Sequence, residues 1–296
     1  MKKFVEFPKE AALDLRYVLF DIDDTITTEG RLTAEAYAAL WALYARGLAV
    51  VPVTGRPAGW CDMIIRQWPV HAVIGENGAF AFYNRGSIEC LVSQAPQNIQ
   101  RIECLASQMT GGIQSDVYAE LTHPNVIEDA AARLVPIRDA CLAKVPGCRV
   151  ARDQFARRYD LAIDFCEDEP KLGLDVAYAI RDVCESFGAV AKVSSIHVNT
   201  WFGKYDKLSM AEMLFSQVFG EDLTTDAGRV AFLRKSIFFG DSPNDAPMFG
   251  YFPNACAVAN ILPFVDKIEK TPAYVTEHES GRGFAAAIKQ ITDALI

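Results

Sequence analysis

Positive charge is what this sequence has least to spare. Its 29 Lys and Arg face 38 Asp and Glu, a formal net charge of -9 and a pI near 5.0. That balance excludes an extended basic face, and with it nucleic acid or an anionic membrane as the main partner. A small anionic molecule stays open, since it needs only a local cluster of cations and backbone N–H groups. Long apolar runs are lacking too, and none could span a bilayer. The opening Met1-Lys-Lys-Phe-Val-Glu-Phe-Pro8 has the charge of a secretion signal without its apolar stretch. Cysteine occurs eight times, at 61, 90, 104, 141, 148, 166, 184 and 256. No two form a C-x-x-C pair and no His stands at ligand spacing, so a thiolate metal centre is excluded. The eight read as reduced residues in apolar surroundings, and the chain as cytoplasmic. There is no internal repeat and no low-complexity linker.

What is present has the proportions of a globular enzyme: 51% hydrophobic and 23% charged residues over 296 positions, enough for two domains of ordinary size. The chain is organised around Tyr17-Val-Leu-Phe-Asp-Ile-Asp-Asp-Thr25, an apolar strand that ends in three carboxylates and a hydroxyl. Residues i and i+2 of a strand point the same way, so Asp21 and Asp23 project together from its carboxyl end, where open α/β sheets bind ligands. One such carboxylate can attack an electrophile while the other moves protons, given a cation to screen their repulsion. An acidic β-turn with Asp24 or Thr25 capping the next element is the plainer alternative.

Downstream, Thr33 reads as the N-cap of a helix from Ala34 to Arg46 that Gly47 stops. A second strand, Leu48 to Thr54, breaks into Thr54-Gly-Arg-Pro57, with Pro57 placed to open another helix. Strand, helix, strand implies parallel pairing and right-handed crossovers, which set Thr54 at the same sheet edge as Asp21. Thr54 and the Gly55 backbone make either a phosphate contact or a bare helix cap, and Arg56 either reaches substrate or is solvated. A third strand, His71 to Ile74, leads to Gly75-Glu-Asn-Gly78 and a short hairpin strand. From 85 to 202 the pattern changes: helices near Gln97–Met109, Val126–Lys144 (broken by Pro136) and Leu172–Phe187, with strand-like runs over Tyr159–Phe165 and Val190–Val198. This reads as an α+β domain, 85–202, inserted into a core formed by 1–84 and 203–296. His197, Asn199 and Trp201 lie on the strand leaving the insert, either reaching towards a leaving group or serving as ordinary strand residues. Arg157 and Arg158 read as solvated.

The core pattern returns with a helix from Lys207 to Phe219, an irregular stretch from Gly220 to Lys235, and the strand Ser236-Ile-Phe-Phe-Gly-Asp-Ser-Pro-Asn-Asp245. Strands over Ala255–Ala259 and Ala273–Thr276 and a helix over Gly283–Leu295 complete it. Asp21, Asp241 and Asp245 converging at one edge would cost several kcal/mol unless compensated, and a hard octahedral Mg²⁺ is the natural compensator. Thr54 and Lys207 are the donors an anionic tetrahedral group would need. Lys204 competes for that lysine role, but the apolar helical pattern Leu208, Ala211, Leu214 starts beside Lys207.

Taken together, Asp21-Ile-Asp-Asp-Thr25, Val53-Thr-Gly-Arg56, Lys207 at a helix start and Gly240-Asp-Ser-Pro-Asn-Asp245 resemble the four ordered motifs of the haloacid dehalogenase (HAD) superfamily. The large insert is similar to the α/β cap of its Cof-like (IIB) subgroup. Gly240-Asp-Ser-Pro-Asn-Asp245 with Glu76-Asn-Gly78 looks nearest to the mannosyl-3-phosphoglycerate and sucrose-phosphate phosphatases. The resemblance implies a Rossmann-like parallel-sheet core with an inserted α+β cap, acting as a phosphatase on a small phosphorylated metabolite. It implies that Asp21 attacks phosphorus, that Asp23 protonates the leaving oxygen and then activates water, that Thr54 and Lys207 hold phosphoryl oxygens, and that Asn244 positions Lys207 or the phosphate. Mg²⁺ would bind Asp21, the Asp23 backbone carbonyl, Asp241 and Asp245. Gly55, Arg56, Glu76, Asn77, His197 and Asn199 are the candidate substrate contacts. Asp24 stands where the family often has Gly, and Asp tolerates unusual turn dihedrals.

Two rivals share parts of this pattern. A phospho-accepting signalling module also sets acidic residues, a hydroxyl and a lysine at strand ends, but there the lysine comes last. A phosphomutase shares the aspartyl-phosphate step and returns the phosphoryl group to a sugar. Neither the particular substrate, with sugar phosphates and phosphorylated short acids leading, nor the oligomeric state is legible in the sequence.

Overall fold

The computed structural model describes residues 1–93 and 118–295; the helix expected near Gln97–Met109 lies outside the described residues. Fifteen strands, β1 to β15 in chain order, lie among the described residues. β1 (Lys2–Lys3), β2 (Tyr17–Phe20), β5 (Ala49–Pro52), β13 (Ser236–Gly240), β14 (Cys256–Ala257) and β15 (Tyr274–Val275) form one sheet in the order β1-β15-β14-β13-β2-β5. Every pairing in it is parallel. β2 and β13 are continuous apolar runs because a parallel sheet is covered on both faces: Val18, Leu19, Phe20, Ile237, Phe238 and Phe239 are all fully buried. Val18 and Phe20 join the layer that holds helices Ala34–Ala45 and Ser280–Ala294. Leu19 and Phe238 join the opposite layer, with helices Lys207–Gln217 and Asp226–Arg234.

β3 (Thr27–Thr28) and β4 (Arg31–Leu32) make a small hairpin. A parallel bridge from Val53 to Ile74 joins the main sheet to an antiparallel one of β6 (Ala72–Gly75), β7 (Phe80–Tyr83) and β8 (Ala119–Thr122). The cap carries a third, antiparallel sheet in the order β11-β12-β10-β9, made of β9 (Arg149–Val150), β10 (Asp160–Asp164), β11 (Val190–Val193) and β12 (His197–Trp201). Leu161, Ile163, Ala191 and Val198 on one face pack against helices Ala130–Lys144 and Leu174–Ser186. By strand alternation and register, the other face presents Asp160, Asp164, His197, Asn199, Trp201 and Lys192.

Several expectations change. The run Val190–Val198 is a hairpin, β11 and β12, turning through Ser194, Ser195 and Ile196. The helix Ala130–Lys144 runs unbroken through Pro136. The stretch 220–235 contains a helix, Asp226–Arg234, capped by the Thr225 hydroxyl. Cys61, Cys141, Cys148, Cys166, Cys184 and Cys256 are free thiols; Cys90 is disulfide-bonded, a departure from the reading of eight reduced residues.

Candidate active site

The parallel register pairs Phe20 with Phe239, which sets Asp21, one residue beyond β2, beside the end of β13 and one step short of Asp241. The backbone then turns sharply at both places. Asp24 takes a left-handed φ of 54°, the conformation its place in the acidic turn suggested. Gly240 has no room for a side chain: a Cβ there would lie 2.4 Å from Asp245 Oδ2. That closeness lets the Asp245 carboxylate fold back and accept the Asp241 N–H at 3.2 Å.

Four charged groups meet in this corner. Lys207 Nζ lies 2.9 Å from Asp21 Oδ2 and 3.0 Å from Asp245 Oδ1. Oxygens of Asp21, Asp241 and Asp245 lie within 4.8 Å of one another. The Thr25 hydroxyl donates to Asp241 Oδ1 at 3.1 Å and the Ile22 N–H to Asp21 Oδ1 at 2.8 Å. All four groups are nearly inaccessible. Burial pushes Asp21 up to about 7 against the pull of Lys207, with Asp245 adding to the rise. Burial and the charges of Asp245 and Asp21 carry Asp241 well above the usual carboxylate range. Burial works to lower Lys207, and the two carboxylates outweigh it and hold the ammonium charged. Three buried carboxylates against one ammonium leave an excess of negative charge that a low dielectric makes costly. The donors are all hard oxygens, so a hard divalent cation fits the set that Asp21, Asp241 and Asp245 provide.

The second half of the site comes from the cap. Arg56 is 4% exposed and grips Asp23 in a bidentate pair, Nη2 to Oδ1 at 2.8 Å and Nε to Oδ2 at 2.9 Å. The same guanidinium reaches two cap residues, Glu167 at 2.9 Å and Asp153 at 3.5 Å. Glu167 also lies 2.9 Å from His197 Nε2, close in distance but poorly aligned for a hydrogen bond. His197 and the Arg56 charge bring the Glu167 carboxyl down to about 2, against partial burial. Asp21, Asp23, Gly55, Arg56, Asn77, Lys207, Asp241 and Asn244 from below, and Ser194 to His197 with Asn199 from above, enclose one cavity.

Of the residues singled out from sequence, Thr54 is fully buried and its hydroxyl accepts the Arg56 N–H at 3.1 Å. Glu76 turns away from the cavity: its carboxylate accepts N–H groups of Ala58, Arg158 and Tyr159 at 2.7–3.1 Å, tying cap to core. Asn199 donates to Asp160 at 2.9 Å. Asn244 accepts from the Ser242 hydroxyl. Lys207, not Lys204, stands at the carboxylates. Arg157 corrects the reading that it is solvated: it is buried, paired with Asp153 and Asp160, and donates to the Gly55 carbonyl at 2.9 Å. No sequence pattern marks Glu167, Asp153 or Asp160, because what brings them to Arg56 and Arg157 is an approach across the gap between cap and core.

A parallel sheet with a carboxylate and lysine cluster at its carboxyl edge, roofed by an inserted cap, defines a capped α/β fold. Residues 18–111 match the family model of haloacid dehalogenase-like hydrolases. Solved structures share the fold over nearly the whole chain. The Thermoplasma acidophilum 0175 protein is 17% identical, with 94% of this chain and 98% of that one covered and a TM-score of 0.62. A HAD/COF-like hydrolase of Plasmodium vivax is 14% identical, with 97% and 99% covered and a TM-score of 0.61. The sucrose-phosphatase of Synechocystis, solved with sucrose and phosphate, is 13% identical, with 94% and 98% covered and a TM-score of 0.56. No curated protein sequence matches the chain.

Proposed function

We propose that this protein is a cytoplasmic, Mg²⁺-dependent phosphatase of a small phosphorylated metabolite, a sugar phosphate or a phosphorylated short acid. The observation that carries the reading is the buried meeting of Asp21, Lys207, Asp245 and Asp241 beneath the cap. We take 1–84 and 203–296 as the core and 85–202 as the cap. A sucrose-phosphatase and a subclass IIB sugar phosphatase among the structural neighbours support the substrate class.

Asp21 is the nucleophile. Its carboxylate oxygen bonds to phosphorus as the bond from phosphorus to the leaving oxygen breaks, and Asp23 gives that oxygen a proton. Asp23 then takes a proton from water, which attacks the aspartyl-phosphate, frees phosphate and restores Asp21. Arg56 orients the Asp23 carboxyl through its bidentate contact. Lys207 and Thr54 hold phosphoryl oxygens as charge builds on them, and Asn244 positions Lys207 or the phosphate. Asp21, the Asp23 carbonyl, Asp241 and Asp245 would hold Mg²⁺, which when bound supplies neutralisation of phosphoryl charge. The reaction cavity has only about 20 Å³ of open space, room for one or two waters at about 10–15 Å³ each. The cap therefore lifts to admit substrate and closes to exclude water.

The test is phosphate release from phosphorylated sugars, polyols, short acids and nucleotides, with Mg²⁺ and with EDTA. Metal-dependent release by the wild type, reduced at least about a thousandfold in Asp21→Asn, is the expected result. Isomerised sugar phosphates without free phosphate would make the protein a mutase, and silence on both counts would remove the proposal.

A further inference from the structure

A second cavity, of about 50 Å³, opens beside the reaction site, and Asn77, Lys207 and Asn244 border both. Lys192 and Trp201 of the cap hang over it, and Asp206, Leu208 and Met248 of the core form its other walls. Its polar groups are out of balance. Trp201 Nε1 and Asn77 Nδ2 are buried donors without a hydrogen-bond partner, although the residues are 1% and 6% exposed. Buried donors are otherwise almost always paired.

Charge on the underside of the cap sharpens the point. Arg149 is matched by Asp164, Arg157 by Asp153 and Asp160, and Arg56 by Asp23, Asp153 and Glu167. Lys192, which faces Asn199 across the β11–β12 ladder, has no ion pair among the described residues. The one carboxylate in the wall, Asp206, is engaged in capping its own helix, accepting from the Ser209 N–H at 2.7 Å. The cavity thus offers two buried N–H groups without an acceptor and, at its exposed rim, one ammonium without an ion pair. A group that answers all three carries only acceptors and a negative charge. At about 10–15 Å³ per water-sized atom the space holds three or four heavy atoms, the size of a carboxylate and smaller than a second phosphate.

We propose that this cavity is a leaving-group subsite for a carboxylate, with Lys192, Trp201 Nε1 and Asn77 Nδ2 as its donors, so that the substrate is a phosphorylated acid. The proposal rests on the phosphatase reading of the adjoining site and narrows it.

Matched esters that differ only in the anionic group test it: 6-phosphogluconate against glucitol 6-phosphate, and 3-phosphoglycerate against glycerol 3-phosphate, with p-nitrophenyl phosphate as a gauge of the chemistry. The acid of each pair is expected to show a kcat/KM higher by roughly tenfold or more, seated mainly in KM, as a charge-assisted contact supplies. Lys192→Gln should bring that ratio towards one and Lys192→Arg should keep most of it; Lys192 is exposed, so neither change threatens folding. Equal turnover of acid and alcohol, or a preference that survives Lys192→Gln, overturns the subsite while p-nitrophenyl phosphate hydrolysis leaves the phosphatase standing. If p-nitrophenyl phosphate is not cleaved, the phosphatase reading is what fails. Calorimetric titration of Asp21→Asn with 6-phosphogluconate and glucitol 6-phosphate then decides the subsite alone: tighter binding of the acid, lost with Lys192→Gln, upholds it, and equal binding ends it.

Discussion

Glu167 follows β10 in the cap and stands against two groups at once, the Arg56 guanidinium of the core and the His197 ring of β12. The pair holds its carboxyl at about 2 instead of the usual 4.5. A folded-state value below the unfolded one means that the ionised, paired form adds stability above about pH 4.5, and that this part is lost as the pH falls towards 2. With 31% of the side chain in water, its worth is about 1–2 kcal/mol. Denaturant unfolding of wild type and Glu167→Gln should therefore differ by a constant amount from pH 7 to 5. The difference should shrink steadily below pH 4.5; one that stayed flat to pH 3 would show that the contact is not ionic. No pattern in the sequence marks Glu167, since its partners are 111 residues away at Arg56 and across a hairpin turn at His197. Asp21 and Asp241 were legible because an apolar run breaking into carboxylates is a local signal.

Among the elements, the turn between β6 and β7 governs the lysine. Gly78 has a φ of 103°, and a Cβ there would meet the Asp206 carbonyl oxygen at 2.0 Å. Asp206 is the N-cap of the helix that Lys207 opens, so the turn and the helix start fix each other's position. Gly78→Ala forces a strained backbone and a main-chain clash together, a loss of roughly 2–4 kcal/mol. It should also move Lys207 from between Asp21 and Asp245. We expect a lowered melting temperature and a kcat down by at least about tenfold; a variant with full kcat would show that the helix start does not depend on this turn. The paired elements that build the core were legible from their apolar runs and stop signals. Helix Asp226–Arg234 was not, because only Phe232 of its residues is buried and Gly228 interrupts the helical pattern. Pro136 misled in the other direction, reading as a break in a helix that runs past it.

At the scale of the molecule, the core fold and its cap position followed from four strand ends and the size of the insert, while the docking of the two followed from nothing local. Arg157 shows why: a charged pair in an exposed-looking loop is buried by donating to the Gly55 carbonyl on the far side of the gap. A metal held by the carboxylate cluster would be linked to global stability. If Mg²⁺ binds only the folded chain, a concentration about 100 times its Kd adds about 2.7 kcal/mol, a rise of roughly 5 °C in a chain of this size. Calorimetry should show that rise in the wild type and not in Asp241→Asn. A melting temperature indifferent to Mg²⁺ would remove the metal from the proposed mechanism.

β2 lies between β5 and β13, and this order has a consequence for how the protein is made. The strand that carries Asp21 gains one neighbour soon after synthesis, but the other only when the last third of the chain emerges. Thr25 and its hydrogen-bond acceptor Asp241 are 216 residues apart, roughly 10–40 s of translation at about 5–20 residues per second. Until then Asp21 stands on an open sheet edge without Lys207, Asp241 or Asp245. On the proposed mechanism a truncated or still-growing chain has no assembled site, and the chemistry arrives only when the strand carrying Asp241 is in place.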